Sequence, residues 1–201
     1  MDEVKTMESI AKEISKEKEK YDNDLKKLEA ERDKKIKEKK NEIYKIKNEY
    51  KSKIEPLYQQ LIKLAIEQIR KTNLKELDLE EYIKPEGICE GIAIGIGFLD
   101  ALKKTQLRKF FDQIKDLEHS LKSDEDLNKI KIGVLALIPK LAYSKGRDLI
   151  DDEFYNFMKA LLLRLKNDMN EKDAKEDVFE KFVNILESVL AYYTYHFPKE
   201  E

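Results

Sequence analysis

From the first residue to Glu55 the chain contains no glycine and no proline. Its apolar residues recur in alternating steps of three and four: Val4, Met7, Ala11, Ile14, Tyr21, Leu25 and Leu28, with Lys18 and Arg32 at positions of the same series. This is the spacing of a heptad seam. The register then slips by one residue and continues through Ile36, Ile43, Ile46, Tyr50, Leu57 and Leu64. Such a stutter locally unwinds a supercoil. A helix of this length would run roughly 80 Å at ~1.5 Å per residue. It is too long and too polar to fold back into a small globule, so residues 1–55 are expected to form a coiled-coil-like charged helical arm. A solitary helix held by Glu–Lys pairs four apart, or a disordered arm, are the alternatives. The arm holds 17 Lys and Arg against 15 Asp and Glu. A basic nucleic-acid arm would be lopsided, so a spacer or oligomerisation element is expected.

Residues 56–87 read as a helical junction. Pro56 suits the first turn of a new helix, with Leu57, Leu61, Leu64, Ala65 and Gln68 on one face. Thr72-Asn73 and Lys84-Pro85-Glu86-Gly87 are turn signals, and the stretch from Leu74 to Ile83 between them is ambiguous. Residues 88–201 read as an all-helical domain. Leu107, Phe110, Phe111, Ile114, Leu117 and Leu121 are helically spaced, as are Phe154, Phe157, Met158, Leu161, Leu165 and Met169. Val178, Phe182, Ile185, Leu186 and Val189 form a third set. Ile130 to Tyr143 is apolar enough to be central, kinked or split at Pro139, and Gly146 suits a helix C-cap. The fold class is therefore all-α: a small bundle of four or five helices preceded by the arm.

Residues that could carry chemistry are scarce. Two histidines, His119 and His196, and one cysteine, Cys89, cannot supply the four N or S ligands of a structural zinc site. Cys89 is expected to be buried and inert. Asp151-Asp152-Glu153 suits a helix N-terminus, where negative charge is favourable, better than a metal site. Gly91, Gly95 and Gly97 lie in a segment superficially like a phosphate loop, without its Lys-Ser/Thr ending or a dinucleotide spacing. Close helix packing or an irregular entry to the domain explains them more simply. No enzyme activity, cofactor or metal is expected. The start of the chain has no secretory pattern and no apolar run is long enough to span a membrane. An intracellular, cytoplasmic protein is the simplest inference.

Charge divides the domain. From Asp100 to Arg147 eleven basic residues face seven acidic ones, and from Asp148 onward seven face thirteen. The positives gather at Lys103, Lys104, Arg108 and Lys109, then at Lys140, Lys145 and Arg147. Arg108, Asp112, Lys115, His119 and Lys122 share the face opposite the apolar stripe. A basic helix start suits phosphate. A merely solvated face is the plain alternative, and the acidic half could instead meet the basic half of a neighbouring copy, head to tail.

Three segments in order, Thr105-Gln106-Leu107-Arg108-Lys109-Phe110-Phe111, Pro139-Lys140-Leu141-Ala142-Tyr143-Ser144-Lys145-Gly146-Arg147 and Ala191-Tyr192-Tyr193-Thr194-Tyr195-His196, resemble the small subunit of type III-A (Csm-type) CRISPR effector complexes. The likeness covers about Phe98 to His196. It implies an all-helical, non-catalytic subunit that stacks in several copies beside other effector subunits. Such a subunit contacts the backbone of target RNA, with the guide strand as a second candidate, in antiviral defence. In that family RNA cleavage belongs to the backbone subunits and nucleotide chemistry to the large subunit. Base pairing then reads sequence, while protein supplies position and charge. The resemblance assigns RNA contact to Arg108, Lys109, Lys140, Lys145 and Arg147. Tyr143 is either a stacking residue or a core tyrosine, and Gln106 caps or packs. The family's closing pattern, Ala-Tyr-His-Lys-Tyr, has lost its basic pair here to Tyr193 and Thr194, so that end is expected to pack against a helix or a neighbouring subunit. The long arm is unusual for the family, which assigns it no role; it could reach a neighbouring subunit, pair two small subunits or extend the stack. A coiled-coil scaffold whose helical domain binds a protein partner is the alternative function.

Overall fold

The arm continues as one helix through Pro56, well past the position where the sequence suggested a new start. The computed structural model describes residues 7–102, 104–123, 126–169 and 175–198, and the side chains among these except 7–13, 104 and 175. Val4 and Lys103 lie outside the described residues, as do the side chains of Met7, Ala11 and Lys104. Helix α1 spans Met7–Lys71 with Pro56 inside it, which corrects the expectation of a new helix at that proline. Proline removes one backbone donor and crowds the preceding turn. The following turns are held by packing instead, since Tyr58, Ile62, Ala65, Ile66 and Ile69 are all buried. The buried face matches the expected one only in part: Ala65 is buried and Leu61 packs against the core. Leu57 and Leu64 are exposed because they continue the heptad series, and the core stripe lies one residue further round the helix.

The chain divides into two units, Met1–Tyr50 and Lys51–Glu201. In the second, the end of α1 is followed by α2 (Leu79–Ile83), α3 (Ile88–Leu99), α4 (Lys104–Lys122), α5 (Leu127–Gly146), α6 (Asp152–Asp168) and α7 (Lys175–His196). Helix α7 is central: α2, α3, α4 and α6 pack on it, while α5 packs on α4 and α6. Among the described residues the only β pairing is an isolated bridge between Leu102 and Ile150. The five helices α3–α7 form the expected all-α bundle, and the three helically spaced sets supply its interior. Leu74, Leu77 and Tyr82, in the stretch that sequence left ambiguous, are buried in the same core. Lys181 Nζ donates to the carbonyls of Lys75 and Leu77 at 2.6 and 2.9 Å, and Tyr82 donates to Gln68 Oε1 at 3.0 Å.

Local signals explain most boundaries. Asp78 caps α2, Asp126 caps α5 and Asp151 caps α6, each accepting backbone N–H groups of the first turn. Helix α5 runs through Pro139 unsplit. Gly146 is not its left-handed cap but its last helical residue, and Asp148 carries the positive φ of 54°. The glycines of α3 are packing sites. A Cβ on Gly91 would meet the Leu61 side chain at 2.7 Å, and one on Gly95 or Gly97 would overlap the Tyr58 or Phe197 ring respectively. Cys89 is buried against the Ile185 carbonyl, and burial pushes its thiol up to about 12, far from a reactive thiolate.

Asp151 accepts the Phe154 N–H at 2.8 Å. Burial nevertheless dominates and pushes its carboxyl up to about 6, with Glu153 and Asp152 adding to the rise. The buried Tyr58 hydroxyl makes no hydrogen bond of normal geometry, yet lies close enough to Asp151 to influence its ionisation. An unfolded aspartate titrates near ~3.9, so the native state takes up its proton first. Asp151 therefore adds stability as pH falls through about 6, and the gain is complete near ~4. Glu118 has the opposite sign: burial pushes it up, but hydrogen bonds from Lys115 and Lys122 hold it below the usual range. Its stabilisation is full above ~4.3 and is lost in stronger acid. Asp151→Asn keeps a capping oxygen. Urea midpoints at about pH 7 and about pH 5 are expected to rise less on acidification in this variant than in the parent.

Candidate nucleic-acid interface

Helices α4 and α5 pack side by side and leave a cleft of about 100 Å³ between them. Its floor is Leu102, Leu107, Phe110, Leu141, Ile150 and Phe154, and its rim is Gln106, Lys109, Gln113, Lys140 and Ser144. Three rim residues stand at i, i+3 and i+7 of α4, the spacing of one helix face. Gln113 ties the two helices together. Its Oε1 accepts from Lys140 Nζ at 2.6 Å and its Nε2 donates to the Lys109 carbonyl at 3.0 Å. An amide oxygen holds the Lys140 ammonium without neutralising it, and no lining residue of the cleft is acidic. Two cations on an acid-free rim favour an anion.

One turn on from Lys140, α5 carries Tyr143, and Arg147 follows at the C-cap of the helix. The Tyr143 ring is 66% exposed, so it belongs to the surface and not to the core. The Arg147 guanidinium lies 5.6 Å from that ring's centre, with Nη1 3.4 Å from the hydroxyl. A guanidinium held over an exposed ring offers both a planar donor fork and a stacking surface.

The structure thus brings together Lys109, Lys140, Tyr143 and Arg147. Arg108 is exposed on α4 but does not line the cleft. Lys145 turns toward α6, where it pairs with Asp152 and lies 5.1 Å from the centre of the Tyr155 ring. The hydrogen bond to Asp152 raises its pKa. The positives on the outer face of α4 are also offset: Lys115 and Lys122 pair with Glu118 at 2.5 and 2.8 Å. Sequence reasoning missed Gln113 and Ser144. The spacing of Gln113 from Gln106 and Lys109 was visible, but its role depends on α5 lying beside α4.

The closing segment packs internally in part, with Tyr195 left 77% exposed. Tyr192 donates to the Ile83 carbonyl at 2.9 Å, the Tyr193 and Phe197 rings lie 5.5 Å apart, and His196 meets Glu90 at 2.6 Å. Among the described residues, no group of three or more His, Cys, Asp and Glu could hold a metal ion, and no helix is long and apolar enough to cross a membrane. Asp152 and Glu153 occupy the first turn of α6, behind the Asp151 cap.

The family model described as Csm2 Type III-A matches residues 88–199, more than half of the chain and the whole of α3–α7. Among curated proteins and among solved structures nothing matches.

Proposed function

We propose, for a chain that belongs to the Csm2 Type III-A family of CRISPR effector small subunits, that the α4–α5 face binds the sugar–phosphate backbone of target RNA. The observation that supports this most is the acid-free cleft rimmed by Lys109 and Lys140 and continued by the Tyr143–Arg147 pair. Phosphate oxygens accept from the two lysines and from the Arg147 fork, while a base or ribose lies on the Tyr143 ring. Nothing in this arrangement reads a base edge, so pairing with a guide strand supplies specificity. The subunit is non-catalytic, and it works beside other effector subunits in several stacked copies that together follow the RNA. Each copy adds a few contacts, and stacking multiplies them.

The test is binding of the reconstituted effector complex to target RNA over a salt series. We expect affinity to fall linearly with log salt, with a slope of about −0.7 per phosphate neutralised. Lys109→Ala, Lys140→Ala and Arg147→Ala combined are expected to flatten that slope by about 2 per subunit. Lys145→Ala leaves it nearly unchanged, because Asp152 already occupies that ammonium. A triple variant that incorporates normally and keeps the parental slope would sink the proposal and make this face an assembly surface.

A further inference from the structure

On the helix of the first unit, Tyr21, Leu25, Leu28, Ile43, Ile46 and Tyr50 stand on the heptad series and are between 41% and 65% exposed. A row of large apolar side chains left in water marks a surface that another molecule covers. The row mirrors itself about the midpoint between Lys35 and Ile36. Tyr21 and Tyr50 are equidistant from that point, as are Leu25 and Ile46, and Leu28 and Ile43. The stutter lies at the same place. Two antiparallel copies crossing there set apolar against apolar in each of these layers, with the two register slips at the same height.

Charge bears on the direction of the pair more than on its strength. One flank of the antiparallel pair sets Asp22 by Lys47 and Glu29 by Lys40 of the other copy, which attract. The opposite flank sets Asp24 by Glu49 and Glu31 by Glu42, but Glu42 is already paired with Lys39 of its own chain at 2.7 Å. Near the centre Arg32 of each copy faces Lys39 of the other, a like-charged layer whose heads must reach out of the seam to water. The Arg32 guanidinium is already held by Asp33 at 2.9 Å and Lys39 by Glu42 at 2.7 Å, which offsets part of that repulsion. A parallel pair would instead set Glu17 by Asp22 and Asp24 by Glu29 on both flanks, leaving Glu42 with Lys47 as its attraction.

We propose that the arm is a docking surface for a second copy of this chain, forming an antiparallel two-fold dimer through residues 21–50. Such an interface is self-complementary and closes on itself.

Light scattering on the full-length chain without RNA tests it. A mass of twice 23.8 kDa is expected, and Leu28→Glu with Ile43→Glu is expected to give a single 23.8 kDa species with the parental helical signal. Leu25→Cys and Ile46→Cys proteins fix the direction, because the native Cys89 is buried. Neither should cross-link with itself, and the two mixed should. A monomer at micromolar concentrations, a dimer that survives the two glutamates, or self-cross-linking of Leu25→Cys would each overturn the proposal. None of these outcomes bears on RNA binding, so the two readings fail separately.

Discussion

Asp168→Ala is expected to destabilise the protein by about 3 kcal/mol, a large effect for a single substitution. Asp168 is only 4% exposed at the end of α6. Its carboxylate accepts the Leu74 backbone N–H at 2.7 Å, shares the Arg164 Nε–H between its two oxygens at 2.8 and 2.9 Å, and accepts from Arg164 Nη2 as well. Alanine would leave the Leu74 N–H buried without an acceptor and remove the carboxylate opposite the Arg164 guanidinium. That side chain is 24% exposed, so water recovers part of its solvation and keeps the effect below the upper range for a buried pair. Asp168→Asn retains an oxygen for Leu74 and should lose about half as much. Urea unfolding is the measurement: the midpoint should fall with an unchanged slope. A loss below about 1 kcal/mol would mean that the link between the Leu74 turn and α6 is not structural.

Gly95→Ala should follow, at about 2 kcal/mol. Alanine gains roughly 1 kcal/mol over glycine inside a helix, whereas overpacking a core typically costs about 1–3. The new Cβ would lie 2.7 Å from Cγ of the Tyr58 ring and closer still to Cδ2. That ring is 3% exposed and cannot move without parting α1 from α3. The overlap therefore outweighs the gain in helix propensity. Gly91→Ala meets only the end of the Leu61 side chain, at 2.7 Å, and should come out near zero. In a Tyr58→Ala background, Gly95→Ala should lose most of its effect, the non-additivity that contact demands. Equal melting-point losses at Gly91 and Gly95 would refute the contact.

Much of the candidate site was legible as composition and little of it as geometry. Lys109, Lys140, Tyr143 and Arg147 all stand out in the sequence, yet so do Arg108 and Lys145, which the fold directs elsewhere. A basic residue in a string of letters does not show whether a carboxylate from another helix lies beside it. Asp152 of α6 reaches Lys145, whereas the pairs that Glu118 makes with Lys115 and Lys122 on its own helix are spaced three and four apart and can be read from the sequence. Gln113 has no chemistry of its own to attract notice, and only the approach of α5 makes it a brace.

Helical periodicity alone determined the all-α class, the long arm and the three core sets, because burying one face of a helix requires a 3.6-residue repeat that survives in any context. The capping role of Asp151 was equally local. Tertiary structure decided the rest. It carried α1 through Pro56, since the burial of Tyr58, Ile62 and Ile69 outweighs one lost backbone bond. It used Gly91, Gly95 and Gly97 as contact points between packed elements. It also chose which lysines remain uncompensated, because ion pairs and clefts join residues far apart in the chain, and no local spacing records which helix will lie against which.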